Sequence, residues 1–337
     1  MMNRFARRTV LVAMAALVGW SAASAQAPAK TDKVTVAGWS KPITEVTPLL
    51  VEEDKGLYRA HGIELGYISG AGGGDAIRNV LSGQADVAFT DPGSFFSALD
   101  KGEKLRAIYD IYPQNVFNVV SLKTANISKP SDLKGKKIGV YSLSSGTRQN
   151  LLVLLHQAGL SESDVTIVVT GLLNFAPLLQ GQVDATAATD TGLIVGKRRG
   201  LGDVNVMEVG KYLNVSSDMF VVREPVYQQK KALLKRFLKA YRDSAAWMIA
   251  NPEEAARLAT KRAIDGSDPA VNLEIIRARN ASSVSAATEK GGLGAFDMDS
   301  LQKAADAYRK LGLIQHDIKV SEVVSQDLLP GRRGEPG

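Results

Sequence analysis

The segment "LLQGQVDATAATD" at residues 178–190 repeats the pattern of "LSGQADVAFTD" at residues 81–91. In both segments a short helical stretch ends in Gly-Gln, an Asp opens an apolar strand, and the strand ends in Thr-Asp. A helix followed by a short buried strand is typical of α/β units. The repetition indicates an internal duplication and predicts two similar α/β halves.

Apolar runs and amphipathic runs alternate around the two copies. The predicted strands are 34–39, 63–69, 85–90, 105–112, 118–123, 164–170, 183–189 and 204–210, with a further strand inside 128–142. The predicted helices are 46–62, 76–83, 92–102, 147–160, 174–182 and 190–200. Strands that alternate with helices through short loops predict the α/β class with mainly parallel sheets. From about Phe220 onward the pattern is helical.

Composition excludes several classes of function. The chain has 337 residues, of which 45% are hydrophobic, so it can bury the cores of two domains. The net charge is +6, but the longest basic run is Lys197-Arg198-Arg199 and aromatic residues make up only 6%. We therefore expect no nucleic-acid partner. The absence of cysteine excludes disulfides, thiol nucleophiles, cysteine zinc sites and a lipid-anchoring cysteine.

The N-terminus has the order of a secretory signal peptide. Three arginines and no acidic residue precede an apolar stretch at 10–20, and "ASA" follows at 23–25. The apolar stretch is too short to span a membrane. We predict cleavage after Ala25, which makes residues 1–25 the signal peptide and the mature protein periplasmic.

Three hydroxyls and a glycine stand where a strand gives way to a helix, at Ser144-Ser145-Gly146-Thr147. The order is not the G-x-S-x-G of a nucleophilic serine turn. No lysine follows Gly146, as a phosphate loop requires. The unpaired N–H groups of a helix N-terminus and the added hydroxyls suit a small anion. The alternative is ordinary helix capping by Ser144 or Ser145.

Polar residues also follow other predicted strands. Trp39 ends the first strand, at the edge where open α/β sheets bind ligands, although a core position is the alternative. Ser40 and Thr44 could add polar contacts. Thr90-Asp91 and Asp190 occupy the duplicated strand ends, which predicts that both lie near one cleft. Helix capping is the alternative for these aspartates and is favoured for Asp190.

Two further candidates lie in turns. The loop "SGAGGGDAI" at residues 69–77 fails the G-x-G-x-x-G spacing of dinucleotide sites. It is either a flexible loop or a ligand contact through the backbone of Gly73 and Gly74. Asn174 stands at a strand-to-helix turn and is the weakest candidate. The three histidines are not arranged as a triad or metal cluster, so we expect no metal site.

Several segments in order are similar to one known family. They are "EEDKGLYRAHGIEL" (52–65), "GQADVA" (83–88), "SKPSDLKGKKIGVYSLSSGT" (128–147), "LLQGQVDATAATD" (178–190) and "NPEEAARL" (251–258). This order resembles the periplasmic substrate-binding proteins of the nitrate/sulfonate/taurine and thiamine-precursor type, which serve ABC importers. The resemblance covers about residues 34–315.

The resemblance implies a periplasmic-binding-protein type II fold, with two α/β lobes, a hinge and a ligand cleft. Lobe 1 would comprise residues 32–117 and 219–315, and lobe 2 residues 118–218. Residues 316–337 would form a C-terminal extension with a disordered end. The family places the glycine-rich loop at the cleft, which favours ligand contact by Gly73 and Gly74, and it favours ligand binding at Ser145 over capping alone.

The implied function is capture of a small anion, such as a sulfonate, nitrate or carboxylate, for delivery to the membrane permease of an ABC importer. A pyrimidine thiamine precursor or an aromatic acid is the alternative ligand. An exported enzyme, with Asp91 or Asp190 as base, or a sensory receptor could use the same scaffold. The related eukaryotic pyrimidine synthases need a cysteine-rich segment that this chain lacks. We expect a monomer without a cofactor and without catalytic activity.

Overall fold

The computed structural model describes residues 31–173 and 175–331. The strands in these ranges are β1 (Asp32–Ala37), β2 (Ile63–Ile68), β3 (Val87–Thr90), β4 (Leu105–Tyr112), β5 (Phe117–Leu122), β6 (Lys137–Val140), β7 (Thr166–Val169), β8 (Ala185–Thr189), β9 (Val204–Glu208) and β10 (Asp218–Arg223). The predicted signal peptide and the last six residues lie outside the described residues.

The helices run between the strands in the first two thirds of the chain and follow one another in the last third. They are α1 (Thr47–Leu50), α2 (Glu52–Lys55), α3 (Gly73–Leu81), α4 (Pro92–Asp100), α5 (Gly146–Gln157), α6 (Ala176–Leu179), α7 (Asp190–Arg198), α8 (Glu224–Gln229), α9 (Lys231–Ala250), α10 (Pro252–Arg262), α11 (Pro269–Ser282), α12 (Ala286–Gly291), α13 (Met298–Lys310) and α14 (Val320–Val323). Short 3₁₀ turns lie at Thr44–Val46, Arg59–His61, Lys123–Ala125, Pro130–Leu133, Glu162–Asp164, Gly171–Leu173 and Val209–Lys211.

Two five-stranded sheets, counted over the described ranges, carry the fold. The first has the order β2-β1-β3-β10-β4, and the second has the order β7-β6-β8-β5-β9. In each sheet three neighbouring strands are parallel, while β10 and β5 are antiparallel to their neighbours. The identical arrangement of the two sheets agrees with the duplication that the repeated segments predict. The fold is therefore the predicted two-lobed α/β fold.

The chain passes between the two sheets twice. We define lobe 1 as residues 31–112 and 218–331, and lobe 2 as residues 117–208; the links are residues 113–116 and 209–217. Hydrogen bonds connect the second link to the first link and to the end of β4. The backbone N–H of Val116 donates to Ser217 Oγ at 2.9 Å, and the N–H of Ser217 donates to the carbonyl of Tyr112 at 2.8 Å. Two such adjacent links form the hinge of the molecule.

Strand ends in both lobes are followed by capped helices that point their N-termini toward the same region. Asp91 caps α4 by accepting from the N–H of Ser94, and Ser145 caps α5 by accepting from the N–H of Arg148. Thr189 caps α7 in the same way through Gly192. These caps satisfy N–H groups that a helix leaves unpaired. The three strand-to-helix turns that contain these caps lie at one cleft.

The prediction of one continuous helix over residues 46–62 is wrong. The segment forms α1, α2 and a 3₁₀ turn instead. Gly56 takes the left-handed conformation with φ of 62° and ends α2, and Gly62 ends the next turn in the same way. A left-handed glycine stops a helix because the chain turns away from the helical path.

The segment after α13 packs on lobe 1. Val320, Val324 and Leu328 are buried, and the N–H of Ser325 donates to the carbonyl of Ala107 on β4 at 2.9 Å. These contacts tie the C-terminal segment to the edge strand of the first sheet, as far as Gly331.

Candidate functional site

A cavity of about 270 Å³ lies in the cleft and is walled by both lobes. Lobe 1 contributes the turn after β1, the glycine-rich loop before α3, the first residues of β10 and one face of α11. Lobe 2 contributes the N-terminal turns of α5 and α7. The volume is near the lower end of the range of about 300–1,000 Å³ that is usual for ligand sites. A small organic molecule would fill it.

Aromatic rings from both lobes form part of the wall. Trp39 lies in the turn two residues after the end of β1, rather than at the strand end that the sequence predicted, and meets Tyr141 of lobe 2 edge to face, with ring centroids 6.1 Å apart and an interplanar angle of 88°. Phe117, at the start of β5, also lines the cavity. The indole Nε1 of Trp39 is buried without a hydrogen-bond partner in the described part of the chain. Flat rings at such a site favour an aromatic or apolar ligand body.

The hydroxyls at the N-terminus of α5 bind one another and the local backbone. Ser145 Oγ lies 2.7 Å from Thr147 Oγ1 and donates to the carbonyl of Ser142 at 2.7 Å. Thr147 Oγ1 accepts from the N–H of Tyr141 at 3.0 Å. Ser145, Gly146 and Thr147 all line the cavity, but the two hydroxyls are occupied within the turn.

The glycine-rich loop lies against lobe 2. Gly72 has φ of 123°, a conformation that favours glycine, and the N–H of Gly74 donates to the carbonyl of Ser144 at 2.9 Å. Ser144 Oγ in turn donates to the carbonyl of Ala71 at 3.0 Å. Gly73 lines the cavity, and a Cβ at this position would collide with the carboxylate of Asp91. The loop therefore closes the cleft through its backbone.

Two buried carboxylates lie on the lobe 1 side of the cavity. Asp91 accepts from the N–H of Ser94 at 2.9 Å and from its hydroxyl at 2.8 Å. Burial raises the pKa of Asp91 above its usual range, although the bonds from Ser94 oppose this shift. Asp218, the first residue of β10, is 8% exposed and has no hydrogen bond or ion pair to any described residue. Burial and the charges of Asp91, Glu45 and Asp110 raise the pKa of Asp218 well above its usual range.

A buried arginine joins the lobes beside the cavity. Arg279 on α11 is 1% exposed, and its guanidinium binds the carboxylate of Asp190 at the start of α7. Its Nε lies 3.5 Å from Glu45 Oε2, and its guanidinium carbon lies 5.2 Å from the ring centre of Tyr112. Thr191 Oγ1 crosses the cleft to donate to Glu45 Oε1 at 2.7 Å. We call Glu45, Asp190, Thr191 and Arg279 the interlobe cluster.

The exposed rim of the cavity carries both signs of charge. Arg198 on α7 pairs with Glu274 on α11, which is a second ion pair between the lobes. Arg199, Asp265 and Asp268 also line this rim and are exposed. These contacts, with those of the glycine-rich loop and the interlobe cluster, hold the cleft in a closed arrangement.

Comparison with known proteins assigns the chain to a family. The sequence profile described as NMT1/THI5 like matches residues 43–255, which is more than half of the chain. The chain belongs to the NMT1/THI5-like family.

Two relatives in sequence, a binding protein and a synthase, have names of different kinds. The riboflavin-binding protein RibY of Chloroflexus aurantiacus is 24% identical over 304 residues, which cover 89% of this chain and 86% of RibY. The 4-amino-5-hydroxymethyl-2-methylpyrimidine phosphate synthase of Schizosaccharomyces pombe is 22% identical over 236 residues, covering 66% of this chain and 67% of the synthase.

Solved structures share the fold of this NMT1/THI5-like chain. A protein of Bordetella bronchiseptica is similar with a TM-score of 0.71 at 23% identity, covering 89% of this chain and 96% of that one. The alkanesulfonate-binding protein SsuA of Xanthomonas axonopodis, bound to MOPS, is similar with a TM-score of 0.68 at 17% identity, covering 88% and 99%. At these identities the likeness shows the two-lobed periplasmic-binding-protein fold alone. Within the described residues, no helix of this chain has the length and apolarity to cross a membrane.

The structure brings together about half of the residues that the sequence singled out. Those on the cavity wall are Trp39, Gly73, Asp91, Ser145, Gly146 and Thr147. Those off the wall are Ser40, Thr44, Gly74, Thr90, Ser144 and Asp190. Asn174 lies outside the described residues.

Most of the residues off the wall are held by other contacts. Ser40 Oγ donates to the carbonyl of Lys41 at 2.7 Å, and Thr44 Oγ1 donates to the carboxylate of Asp265 at 2.8 Å. Thr90 Oγ1 is fully buried and has no partner among the described residues. Asp190 does not reach the cavity because Arg279 holds its carboxylate.

The sequence pattern did not identify the charged residues of the inner wall other than Asp91, namely Glu45, Asp218 and Arg279. Glu45 lies in a 3₁₀ turn and Asp218 begins β10, both without a distinctive motif, and Arg279 is one of two arginines on α11. One signal was present for Asp218. It follows "NVSS" at the predicted lobe boundary, where a charged residue beside a hinge faces the cleft.

Proposed function

We propose that this protein is the solute-binding component of an ABC importer, exported to the periplasm, where it captures a small organic ligand and presents it to a membrane permease. The observation that carries the proposal is the cavity between the lobes, since both lobes supply its wall and a hinge joins them. Closure of two lobes around a ligand is the usual action of such a scaffold. The names of RibY and SsuA agree with ligand binding.

The cavity wall offers little for catalysis. None of the three histidines of the chain lies on it: His61 contacts Asp243, His156 contacts the carbonyl of Leu311, and His316 contacts Asp100. Among residues 31–173 and 175–331, no histidine or lysine contacts the serine and threonine hydroxyls of the α5 turn. We therefore favour ligand binding over the synthase activity for which some of the relatives are named.

Thermal unfolding of the exported protein tests the proposal. The protein is first denatured and refolded, which removes any ligand that copurifies with it. It is then unfolded with riboflavin, 4-amino-5-hydroxymethyl-2-methylpyrimidine, MOPS, taurine and benzamidine. A ligand present at 100 times its dissociation constant stabilises the folded state by about 2.7 kcal/mol.

Cleft closure is measured on the same samples by small-angle scattering. Stabilisation by one compound, together with a smaller radius of gyration, supports the proposal. If no compound stabilises the protein, and if mass spectrometry of the native preparation detects no bound solute, the proposal is wrong.

A further inference from the structure

We infer that the cavity selects a small organic cation, namely an aromatic ring that carries an amidinium or a protonated amine, and that the carboxylate of Asp218 recognises its charge. This inference rests on the proposed function, because it names the ligand class of the same cavity. It replaces the oxyanion that the sequence led us to expect.

Asp218 is the observation from which the inference starts. Its carboxylate lies on the cavity wall, is 8% exposed and receives no hydrogen bond or cation from any described residue. A carboxylate removed from water without a partner is costly, so buried carboxylates are nearly always paired. Because this one faces an open cavity, a bound ligand is the available partner. N–H groups with a positive charge satisfy both of its oxygens.

The neighbouring charges reinforce the preference for a cation. Asp91 and Glu45 also line the cavity, and Asp110 lies close enough to affect Asp218. Burial and these acids together raise the pKa of Asp218, since each negative charge makes the next one harder to form. A cation in the cavity would reverse this effect, whereas an anion would increase it.

The buried positive charge on the wall is already neutralised. Arg279 binds Asp190 and lies 3.5 Å from Glu45, so two carboxylates share one guanidinium. At the exposed rim, Arg198 pairs with Glu274, and Arg199 shares the rim with two exposed aspartates. The interior of the cavity therefore has more acidic side chains than basic ones.

The N-terminus of α5, which would suit an oxyanion, lies close to Asp91. A Cβ placed on Gly146, the first residue of α5, would lie 3.2 Å from the Cβ of Asp91. The hydroxyls of Ser145 and Thr147 are bound to each other. An external anion at this position would be repelled by Asp91 and would find no free hydroxyl. The carboxylate of Asp91 is itself the cap of α4, where it accepts from the N–H and the hydroxyl of Ser94.

The wall also favours an organic cation over a metal ion. No group of three or more His, Asp or Glu side chains in residues 31–173 and 175–331 is placed to hold a metal. Trp39, Tyr141 and Phe117 offer ring faces and edges that pack against a flat ligand. Such rings also attract a positive charge through their π faces.

Three compounds of matched shape test the inference: benzamidine, benzamide and benzoate. They share one phenyl ring and differ in charge, being positive, neutral and negative at pH 7. Calorimetric titration of the refolded, ligand-free protein is expected to give a dissociation constant for benzamidine at least about tenfold lower than that for benzamide, and no binding of benzoate. Equal binding of the three, a preference for benzoate, or no binding of benzamidine overturns the inference.

The variant Asp218→Asn assigns the charge selection to this residue. It keeps the shape of the side chain and removes its charge, so benzamidine is expected to bind at least about tenfold more weakly while benzamide changes little. Asp317→Asn, at an exposed position, is the matched control and is expected to bind like the native protein. Unchanged selectivity in a folded Asp218→Asn protein assigns the selection elsewhere and overturns the role of Asp218. If that variant does not fold, the three-compound comparison on native protein still decides the ligand class.

Failure of this inference is distinguishable from failure of the proposed function. If MOPS or benzoate binds and reduces the radius of gyration, the protein is a solute-binding protein and the cation inference is wrong. If no compound of any charge binds and no solute copurifies, the proposed function itself is wrong. Binding of benzamidine with closure of the cleft supports both.

Discussion

Arg279 in lobe 1 and Asp190 in lobe 2 form an ion pair across the cleft, beside the cavity. Arg279 is almost fully buried, and Asp190 is the first residue of the helix that closes the lobe 2 side. Their separation in sequence is large, so only closure of the two lobes brings them together. The pair therefore links the state of the hinge to the state of the site.

Removal of this ion pair is expected to open the cleft. Asp190→Asn leaves the guanidinium of Arg279 buried with Glu45 as its remaining partner, which destabilises the closed form by about 2–3 kcal/mol. Pulsed electron–electron double resonance between spin labels at Lys123→Cys and Lys261→Cys measures the distance between the lobes. The chain has no cysteine of its own, so the labels attach nowhere else.

The matched control for this experiment is Asp203→Asn, an exposed position in lobe 2. It is expected to give the distance distribution of the native protein. A distribution in Asp190→Asn that coincides with the native one would show that the interlobe cluster does not hold the lobes together.

A methyl group at Gly73 is expected to damage the cavity. Its Cβ would meet the carboxylate of Asp91 and lie 2.6 Å from Thr90 Oγ1. Gly73→Ala should therefore lower the free energy of unfolding by about 1–3 kcal/mol, as measured by urea denaturation. Gly202→Ala, where a Cβ meets nothing within 4 Å, is the control and should change stability by at most about 0.5 kcal/mol. Equal effects at the two glycines would contradict the crowding at Gly73.

Trp39 is expected to report ligand binding by its fluorescence. It lines the cavity, whereas Trp247 lies on α9 with the ammonium of Lys55 over its ring, 4.8 Å from the centroid. Titration with benzamidine should change the emission of the native protein and of Trp247→Phe. The change should disappear in Trp39→Phe, and affinity should fall by about 1 kcal/mol because a smaller ring packs against the ligand. A signal that survives in Trp39→Phe would place the ligand elsewhere.

Asp110 is expected to make the fold less stable as pH rises. Burial raises its pKa to about 8, the hydroxyl of Ser216 opposes this shift, and the charge of Asp297 adds to it. The unfolded chain loses this proton near the usual value of 3.8, so its stabilising contribution is complete below that pH and is lost as pH approaches 8. The loss is at most about 1.4 kcal/mol per pH unit.

Urea denaturation at pH 5 and pH 8.5 measures this dependence. Asp110→Asn, which stays neutral at both values, should lose less stability between them than the native protein. Asp317→Asn should behave like the native protein, since its carboxylate is exposed. Parallel curves for the native protein and Asp110→Asn would show that another group controls the pH dependence.

The repeated segments predicted the fold because they repeat a local pattern. Gly-Gln, Asp and Thr-Asp mark the same turn, strand start and strand end in each lobe, and the two sheets have the same strand arrangement. The break within residues 46–62 was not predicted, since the apolar spacing there is helical. Gly56 and Gly62 adopt the left-handed conformation and interrupt the helix that this spacing predicts.

The cavity wall was predictable where a residue caps the helix that follows a strand. Asp91 and Ser145 lie on the wall for this reason, because strand ends of both sheets face the cleft. Arg279 could not be found in this way. Its position depends on how α11 packs across the lobes, and helical periodicity does not tell which arginine of α11 faces a distant aspartate. The position of Asp218 on the wall depends on the direction in which the chain passes from the hinge into β10, which the sequence pattern does not give.

The position of β10 has a consequence for the order in which the chain folds. This strand lies between β3 and β4, yet the ribosome makes it after the whole of lobe 2. Until residue 223 is available, the first sheet has a gap with two unpaired strand edges facing each other, and such edges promote aggregation. Lobe 2 is a continuous segment and needs no later strand. Lobe 2 can therefore complete its sheet first, whereas a chain that ends before β10 leaves the facing edges of β3 and β4 unpaired.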